Sequence, residues 1–198
     1  MIIYEPTWKS YVVESTEPVF SIDECKEIIR TGKSLPSEDA EIQTLEGGKE
    51  ATGNKKDYKV RQTNIAWIPF KKAPWLYTRL EHWMHIVNNK HMGFYQLQIG
   101  ELSQFTMYSK KHHYDWHTDS SFQMQKSPCV RKMSMVLLLN DPKEFKGGAF
   151  QVMDKKKTLH VKQGYALFFA SFIAHRVLPV TKGNRISLTT WFGGPPLT

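Results

Sequence analysis

Beyond Gly93 the chain breaks into nine short runs rich in β-branched and aromatic residues, at 94–99, 104–108, 116–119, 132–139, 149–153, 158–161, 166–169, 175–180 and 185–192, separated by Gly, Pro, Asn and Asp. Runs of this length between turn residues read as strands, and so many of them in one chain point to a β-sandwich or barrel.

The first half reads differently. In Phe20-Ser21-Ile22-Asp23-Glu24, Ser21 can cap a first helical turn, Glu24 can close a capping box and Phe20 can act as a staple, so a helix is expected to run to about Lys33. Residues 35–58 are polar, charged and glycine-containing without periodicity, which suggests a long, lid-like loop. A strand-like stretch, 60–68, follows. Pro74 then opens a second helix to about Asn89, with Trp75, Leu76, Leu80, Trp83, Met84 and Val87 at helical spacing on a core-facing side. Helices first and strands after give the expected fold class: mainly β with N-terminal helices, a double-stranded β-helix (jelly-roll) with a helical buttress.

The length of 198 residues suits one domain with a continuous core, and 1–198 is read as a single domain with an N-terminal helix and lid-like loop over 20–58. A content of 40% hydrophobic, 13% aromatic and 23% charged residues excludes a disordered chain. No apolar run approaches the roughly 20 residues of a membrane span, and Met1 to Ser10 lacks a signal-peptide pattern, so a cytoplasmic protein is expected. Cys25 and Cys129 form no Cys-x-x-Cys pair and are read as plain thiols. The net charge of +8 favours acidic partners in general, but the lysines are scattered in short clusters that read as solvated surface.

His117-Thr118-Asp119 puts an imidazole and a carboxylate two residues apart, on one face if the segment is a strand. His175, at the start of another expected strand, is placed to supply a third ligand from across a barrel. Two histidines and one carboxylate with open positions are the facial triad of non-haem Fe(II) oxygenases. Ten residues after His175 comes Arg185, with Ser187 and Thr189 at alternate positions facing the same way. A guanidinium fork matches a carboxylate, so this strand is suited to anchor a dicarboxylate whose other end reaches the metal. His82 and His85 lack a third partner and are assigned to the surface, as are His91, His112, His113 and His160. Tyr114 and Trp191 are candidates for the pocket wall, Trp191 because it is in phase with Arg185. Trp116, adjacent to His117, is expected to face the core.

These residues stand in an ordered set: Gln104-Phe-Thr-Met-Tyr108, Tyr114-Asp-Trp-His117-Thr-Asp119, Arg131-Lys-Met-Ser-Met-Val-Leu-Leu-Leu-Asn140, Gly147-Gly148, Gly164-Tyr-Ala-Leu-Phe-Phe169, His175 through Arg185, and Trp191-Phe-Gly-Gly-Pro195. Over about 58–195 the chain resembles the prolyl 4-hydroxylase-like family of Fe(II)/2-oxoglutarate dioxygenases. The resemblance implies Fe(II) on His117, Asp119 and His175, with 2-oxoglutarate held by Arg185 and helped by Tyr108. By the same resemblance ascorbate is expected as an accessory. Arg61 and Trp67 resemble a substrate-side arginine and tryptophan of the animal oxygen-sensing prolyl hydroxylases. Two positions depart from those enzymes: Leu138 stands for a second co-substrate tyrosine, and Thr63 for an aspartate on the substrate side. The segment 120–130 is also longer and is expected to shape the mouth of the site.

Implied is a hydroxylase that turns 2-oxoglutarate and O2 into succinate and CO2. The presence of Asp119 favours hydroxylation, since related halogenases lack that carboxylate. A prolyl or other residue of a protein or peptide is the leading substrate, and a free amino acid or other small metabolite the alternative. A nucleic-acid demethylase is disfavoured because Trp191 occupies the place of a second arginine. A non-catalytic jelly-roll binding module would need a damaged triad or anchor, and none is visible.

Overall fold

A computed structural model describes residues 10–40, 42–46, 49–55, 57–120, 129–152, 157–159 and 161–196, with backbone alone at 42–46, 49–55 and 157–158. In chain order these form β1 (Val12–Glu14), α1 (Ile22–Lys33), β2 (Glu38–Asp39), β3 (Ile42–Glu46), β4 (Lys49–Lys55), β5 (Arg61–Gln62), β6 (Asn64–Ile68) and α2 (Pro74–Val87), which runs into a π-helical turn, Asn88–Met92. Then come β7 (Ser103–Tyr108), β8 (His113–His117), β9 (Val130–Leu138), β10 (Lys146–Gly147), β11 (Phe150–Val152), β12 (Lys157–Leu159), β13 (Ala166–Ala170), β14 (His175–Val177), β15 (Val180–Lys182) and β16 (Arg185–Gly194). A seven-stranded sheet, β1-β13-β9-β16-β7-β6-β2, faces a five-stranded one, β12-β11-β14-β8-β5, across a shared apolar layer, and ribbons β10-β15 and β3-β4 complete the set. All of the pairings between these strands are antiparallel.

Both helix starts follow from local chemistry. The Glu24 amide donates to Ser21 Oγ at 3.2 Å and the Ser21 amide to Glu24 Oε2 at 2.7 Å, closing the capping box, while Phe20 and Cys25 are buried together beside it. Pro74 occupies the first turn of α2, where its missing N–H costs nothing. The helical path continues past Asn89 to Met92, where Gly93 turns left-handed at φ 70° and the Asn88 side chain brackets both the amide and the carbonyl of Phe94.

The two faces of the large sheet have different jobs, and strand alternation separates them. Toward the helices point Phe105, Met133, Met135, Leu137, Phe168, Ile186, Leu188 and Phe192, packed with Cys25 and Ile28 of α1 and Leu76, Leu80, Met84 and Val87 of α2. Each large side chain so buried is worth about 1.5–3 kcal/mol, and the helices are held by this layer. A close approach sets the position of α1: a Cβ on Gly32 would lie 2.3 Å from Cγ of Phe105. On the inner face Val136, Leu167 and Phe169 meet Phe150, Val152, Leu159 and Val177 of the small sheet. The inner residues of β16 are instead Arg185, Ser187, Thr189 and Trp191, so the space between the sheets is apolar under β13 and β9 and polar beside β16 and β7.

Several expectations are corrected. Residues 35–58 contain β2, paired with β6, and the β3-β4 hairpin, all held by backbone pairing without an alternating apolar pattern. The expected strand at 94–99 is reduced to one bridge between Gln98 and Gly193, with Gln96 at φ 50° interrupting an extended path. The stretch 60–68 is two strands in different sheets, and 175–180 divides into β14 and β15 around Pro179, which has no N–H to donate to a ladder. Strand β8 ends at His117, so Asp119 lies beyond it. Trp116 is half-buried outside both apolar clusters, with the Arg176 guanidinium 4.6 Å from its ring centroid, because a bulge sets Asp115 and Trp116 against the single residue Arg176. His160, and 121–128 within the long 120–130 segment, lie outside the described residues. No helix among the described residues is long and apolar enough to cross a membrane.

Candidate metal centre and anion pocket

Strands β8 and β14 set His175 directly opposite His117, with ring centroids 4.1 Å apart. Asp119 joins them from the turn after β8, where its amide and that of Ser120 both donate to the Ser171 carbonyl at 2.9 and 3.0 Å. His117 Nε2 is 3.8 Å from Asp119 Oδ1 and His175 Nε2 is 3.6 Å from Oδ2, and one ligand atom from each residue falls within 4.8 Å of the others.

The donor chemistry fits a cation. Nδ1 of His117 lies 2.8 Å from the Asp115 carbonyl and Nδ1 of His175 lies 2.9 Å from that of Ile173. A carbonyl only accepts, so Nδ1 of each ring carries a proton, and a ring with no second proton turns the Nε2 lone pair toward the carboxylate. Three electron-pair donors converging without a proton between them repel one another unless a positive ion lies among them. Burial, then the neighbouring His175, hold the His117 pKa down at about 3, against the partial opposition of Asp119, so this imidazole is neutral at pH 7. Burial alone would raise the Asp119 carboxyl, but His175, His117, the Ser134 hydroxyl and Arg131 together bring it below the usual carboxylate value.

Aromatic rings wall the cluster. Tyr114 stacks on His117 at 3.4 Å between centroids, and Phe169 lies 4.6 Å from the His175 ring. Burial pushes the Tyr114 phenol up to about 12, and raises that of Tyr108, so both hydroxyls stay protonated and can donate.

On the inner face of the large sheet, Arg185 pairs in register with Tyr108, its guanidinium carbon 5.6 Å from that ring and Nη1 donating to Ser187 Oγ at 3.0 Å. It is 3% exposed and makes no ion pair among the described residues. An isolated buried guanidinium is costly, which makes its surroundings a place for a carboxylate. Burial lowers its pKa from an ordinary value so high that it remains charged. Thr189 is half-buried opposite Gln104 and Val136, while Leu138, opposite Ser187, adds an apolar wall.

The four expected substrate residues meet in two pairs. Buried Arg61 donates to Gln104 Oε1 at 2.8 Å and lies over the Tyr114 ring at 4.5 Å. Trp67 stands 6.1 Å from Trp191 and donates to Glu38 at 3.1 Å. Trp191 is 6% exposed, its Nε1–H has no hydrogen-bond partner among the described residues, and Arg131, paired twice at 2.6 Å with Glu101, covers its ring at 3.9 Å. A bulge at Lys132 turns Arg131 to this side of β9. Thr63 is turned away, its hydroxyl bonded to the Met107 carbonyl at 3.0 Å.

Sequence reasoning gave no role to Ser134, whose hydroxyl donates to Asp119, or to Ser171, whose hydroxyl meets that of Ser134. A serine amid the apolar run Met133-Ser134-Met135 marks an inward position that needs a polar atom, a signal open to detection for Ser134. Ser171, in a turn, offers no such signal.

Residues 103–193 match the family model described as the 2OG-Fe(II) oxygenase superfamily. A PKHD-type hydroxylase of Shewanella frigidimarina is 29% identical over 92 residues, 44% of this chain and 41% of that protein, so the chain spans about two fifths of the length of the curated relatives it matches. Among solved structures, the viral collagen prolyl hydroxylase of Paramecium Bursaria Chlorella virus-1, in its 2OG complex, superposes with a TM-score of 0.71 at 18% identity, covering 93% of this chain and 97% of that one. A prolyl hydroxylase of Trichoplax adhaerens, in complex with a hypoxia inducible factor peptide fragment, gives 0.65 at 15%, covering 92% and 83%. Over its matched segment the chain is similar to the 2OG-Fe(II) oxygenase superfamily, and over nearly its whole length it shares the fold of these solved prolyl hydroxylases.

Proposed function

We propose that the chain is one catalytic domain, an Fe(II)- and 2-oxoglutarate-dependent dioxygenase that hydroxylates a prolyl or other residue of a protein or peptide. The observation that carries this reading is the pairing of two unmet charges: a lone-pair cluster that needs a cation, and a buried Arg185 without an acidic partner among the described residues. A keto diacid can answer both at once.

In this reading His117, Asp119 and His175 hold Fe(II), while Arg185, with Ser187, Thr189 and the Tyr108 hydroxyl, holds the far carboxylate of 2-oxoglutarate. Bound Fe(II) would supply the activation of O2, one oxygen atom going into succinate as 2-oxoglutarate loses CO2 and the other into the hydroxyl of the substrate. The protein orients these groups and keeps the pocket dry with Leu138, Val136 and Phe169. Arg61, Trp67, Tyr114 and Trp191 receive the substrate. The peptide assignment draws on the Trichoplax structure and its bound peptide, at the level of a shared fold.

The test is succinate formation by the Fe(II)-loaded protein with ascorbate present, with and without proline-containing peptides, compared with free proline. Peptide-stimulated turnover and a gain of one oxygen on the peptide are expected. Stimulation by free proline alone would move the substrate to the small-molecule class. An absence of 2-oxoglutarate turnover with every substrate would overturn the activity itself.

A further inference from the structure

We infer that a hydroxyl relay, Ser171 to Ser134 to Asp119, favours one carboxylate oxygen for the metal; this rests on the metal-centre reading above. Ser134 Oγ is 2.6 Å from Asp119 Oδ2 and 2.9 Å from Ser171 Oγ, and both serines are fully buried. The geometry decides the direction of both bonds. An ionised carboxylate can only accept, so the single Ser134 hydroxyl proton is committed to Oδ2, and Ser171 must then donate to Ser134. Hydrogen bonds aligned in this way polarise one another toward the charge.

Ser171 grips Asp119 a second time through the backbone, since its carbonyl accepts the Asp119 and Ser120 amides, and its own amide donates to the Lys132 carbonyl on β9. The residue therefore ties the turn that carries Asp119 to the strand that carries Ser134. Asp119 has left β8, so no ladder holds it, and this two-point attachment replaces one. The Ser134 bond takes one lone pair of Oδ2, while Oδ1, the oxygen facing His117, keeps both, and this asymmetry favours Oδ1 for the metal. A single carboxylate oxygen per metal keeps further positions open for co-substrate and oxygen. Ser134 and Ser171 are thus positioning residues, acting through Asp119.

The experiment measures Mn(II) affinity by calorimetry and the visible spectrum of the Co(II)-loaded full chain for wild type, Ser134→Ala, Ser134→Thr, Ser171→Ala and, as a control, His175→Ala. Ser134→Ala is expected to weaken Mn(II) binding about 10- to 100-fold and to alter the Co(II) bands, while Ser134→Thr, which keeps the hydroxyl, restores both. Ser171→Ala should give a smaller loss in the same direction, and it carries the test alone if Ser134→Ala does not fold. Wild-type affinity and Co(II) bands in Ser134→Ala, or in Ser171→Ala where that variant stands alone, with His175→Ala impaired, would overturn the relay and leave the metal centre standing. Equal Mn(II) binding by wild type and His175→Ala would overturn both.

Discussion

His175 lies directly across from His117 in the antiparallel pairing of β14 and β8, yet their bonds to the chain are made independently, Nδ1 of one to the Ile173 carbonyl and of the other to Asp115. Each imidazole is oriented before any metal arrives, so little ordering entropy remains to oppose binding.

Removing one ligand from so organised a site should cost function without cost to the fold. His175→Ala is expected to lose tight Fe(II) binding and all 2-oxoglutarate turnover while keeping a wild-type circular dichroism spectrum. Undiminished turnover would place the metal elsewhere. Asp119→Ala should likewise lose hydroxylation.

Arg185→Ala should weaken 2-oxoglutarate binding by about 2–3 kcal/mol, or roughly 30- to 150-fold, the worth of a charged hydrogen-bonding partner in a buried site. Arg185→Lys keeps the charge and loses the fork, so its affinity should fall between the two. The readout is the dissociation constant of 2-oxoglutarate with Mn(II) in place of iron. An unchanged constant in the alanine variant would remove Arg185 from the pocket.

The capping box gives a pH dependence with a definite sign. The Glu24 carboxyl is held below its ordinary value chiefly by the Ser21 backbone amide, against some burial, with help from the Ser21 hydroxyl and Arg79. A folded-state pKa below the unfolded one contributes stability that is present above about 4.5 and lost as pH falls through the folded value. Ser21→Ala should cost about 1 kcal/mol at pH 7 in chemical denaturation. Glu24→Gln should cost about 0.5 kcal/mol there, a figure kept small because the pair with Arg79 is partly exposed. That second difference should shrink toward zero near pH 3; a constant difference would mean that the charge plays no part.

Much of this was readable in the sequence because single residues carried their own reasons. The alternation Arg185, Ser187, Thr189, Trp191 against Ile186, Leu188 and Phe192 announces both a strand and its polar face, and Ser21 with Glu24 announces a helix start. Features held by backbone alone left no such trace. The β2 and β3-β4 pairings have no alternating apolar side, and the bulges at Arg176 and Lys132 re-aim side chains without altering composition. His117 and Asp119 do converge, but by a turn pinned to Ser171 rather than by strand periodicity, so the expected cluster forms through a local geometry that differs.

Gly32→Ala tests how closely α1 lies on the sheet. Elsewhere in a helix this change would be favourable by about 1 kcal/mol. Here the added carbon would meet the buried Phe105 ring, so a net loss of about 1–3 kcal/mol is expected by denaturation. A stabilised variant would show that the ring can move aside.

Trp191 allows the substrate side of the pocket to be probed apart from the co-substrate side. Its ring is fixed by Arg131 above and Trp67 beside it, while its buried N–H has no partner among the described residues, a donor that costs free energy until something accepts from it. Trp191→Phe keeps an aromatic ring for these neighbours and deletes only the donor, so stability should hold or rise slightly. If a substrate carbonyl or carboxylate is the missing acceptor, the variant should raise the KM for the peptide by about 5- to 10-fold, the worth of roughly one hydrogen bond, while the affinity for 2-oxoglutarate, held by Arg185, stays as it was. A KM unchanged from wild type would mean that the indole serves as packing alone, and a matching loss of 2-oxoglutarate affinity would move Trp191 to the co-substrate pocket.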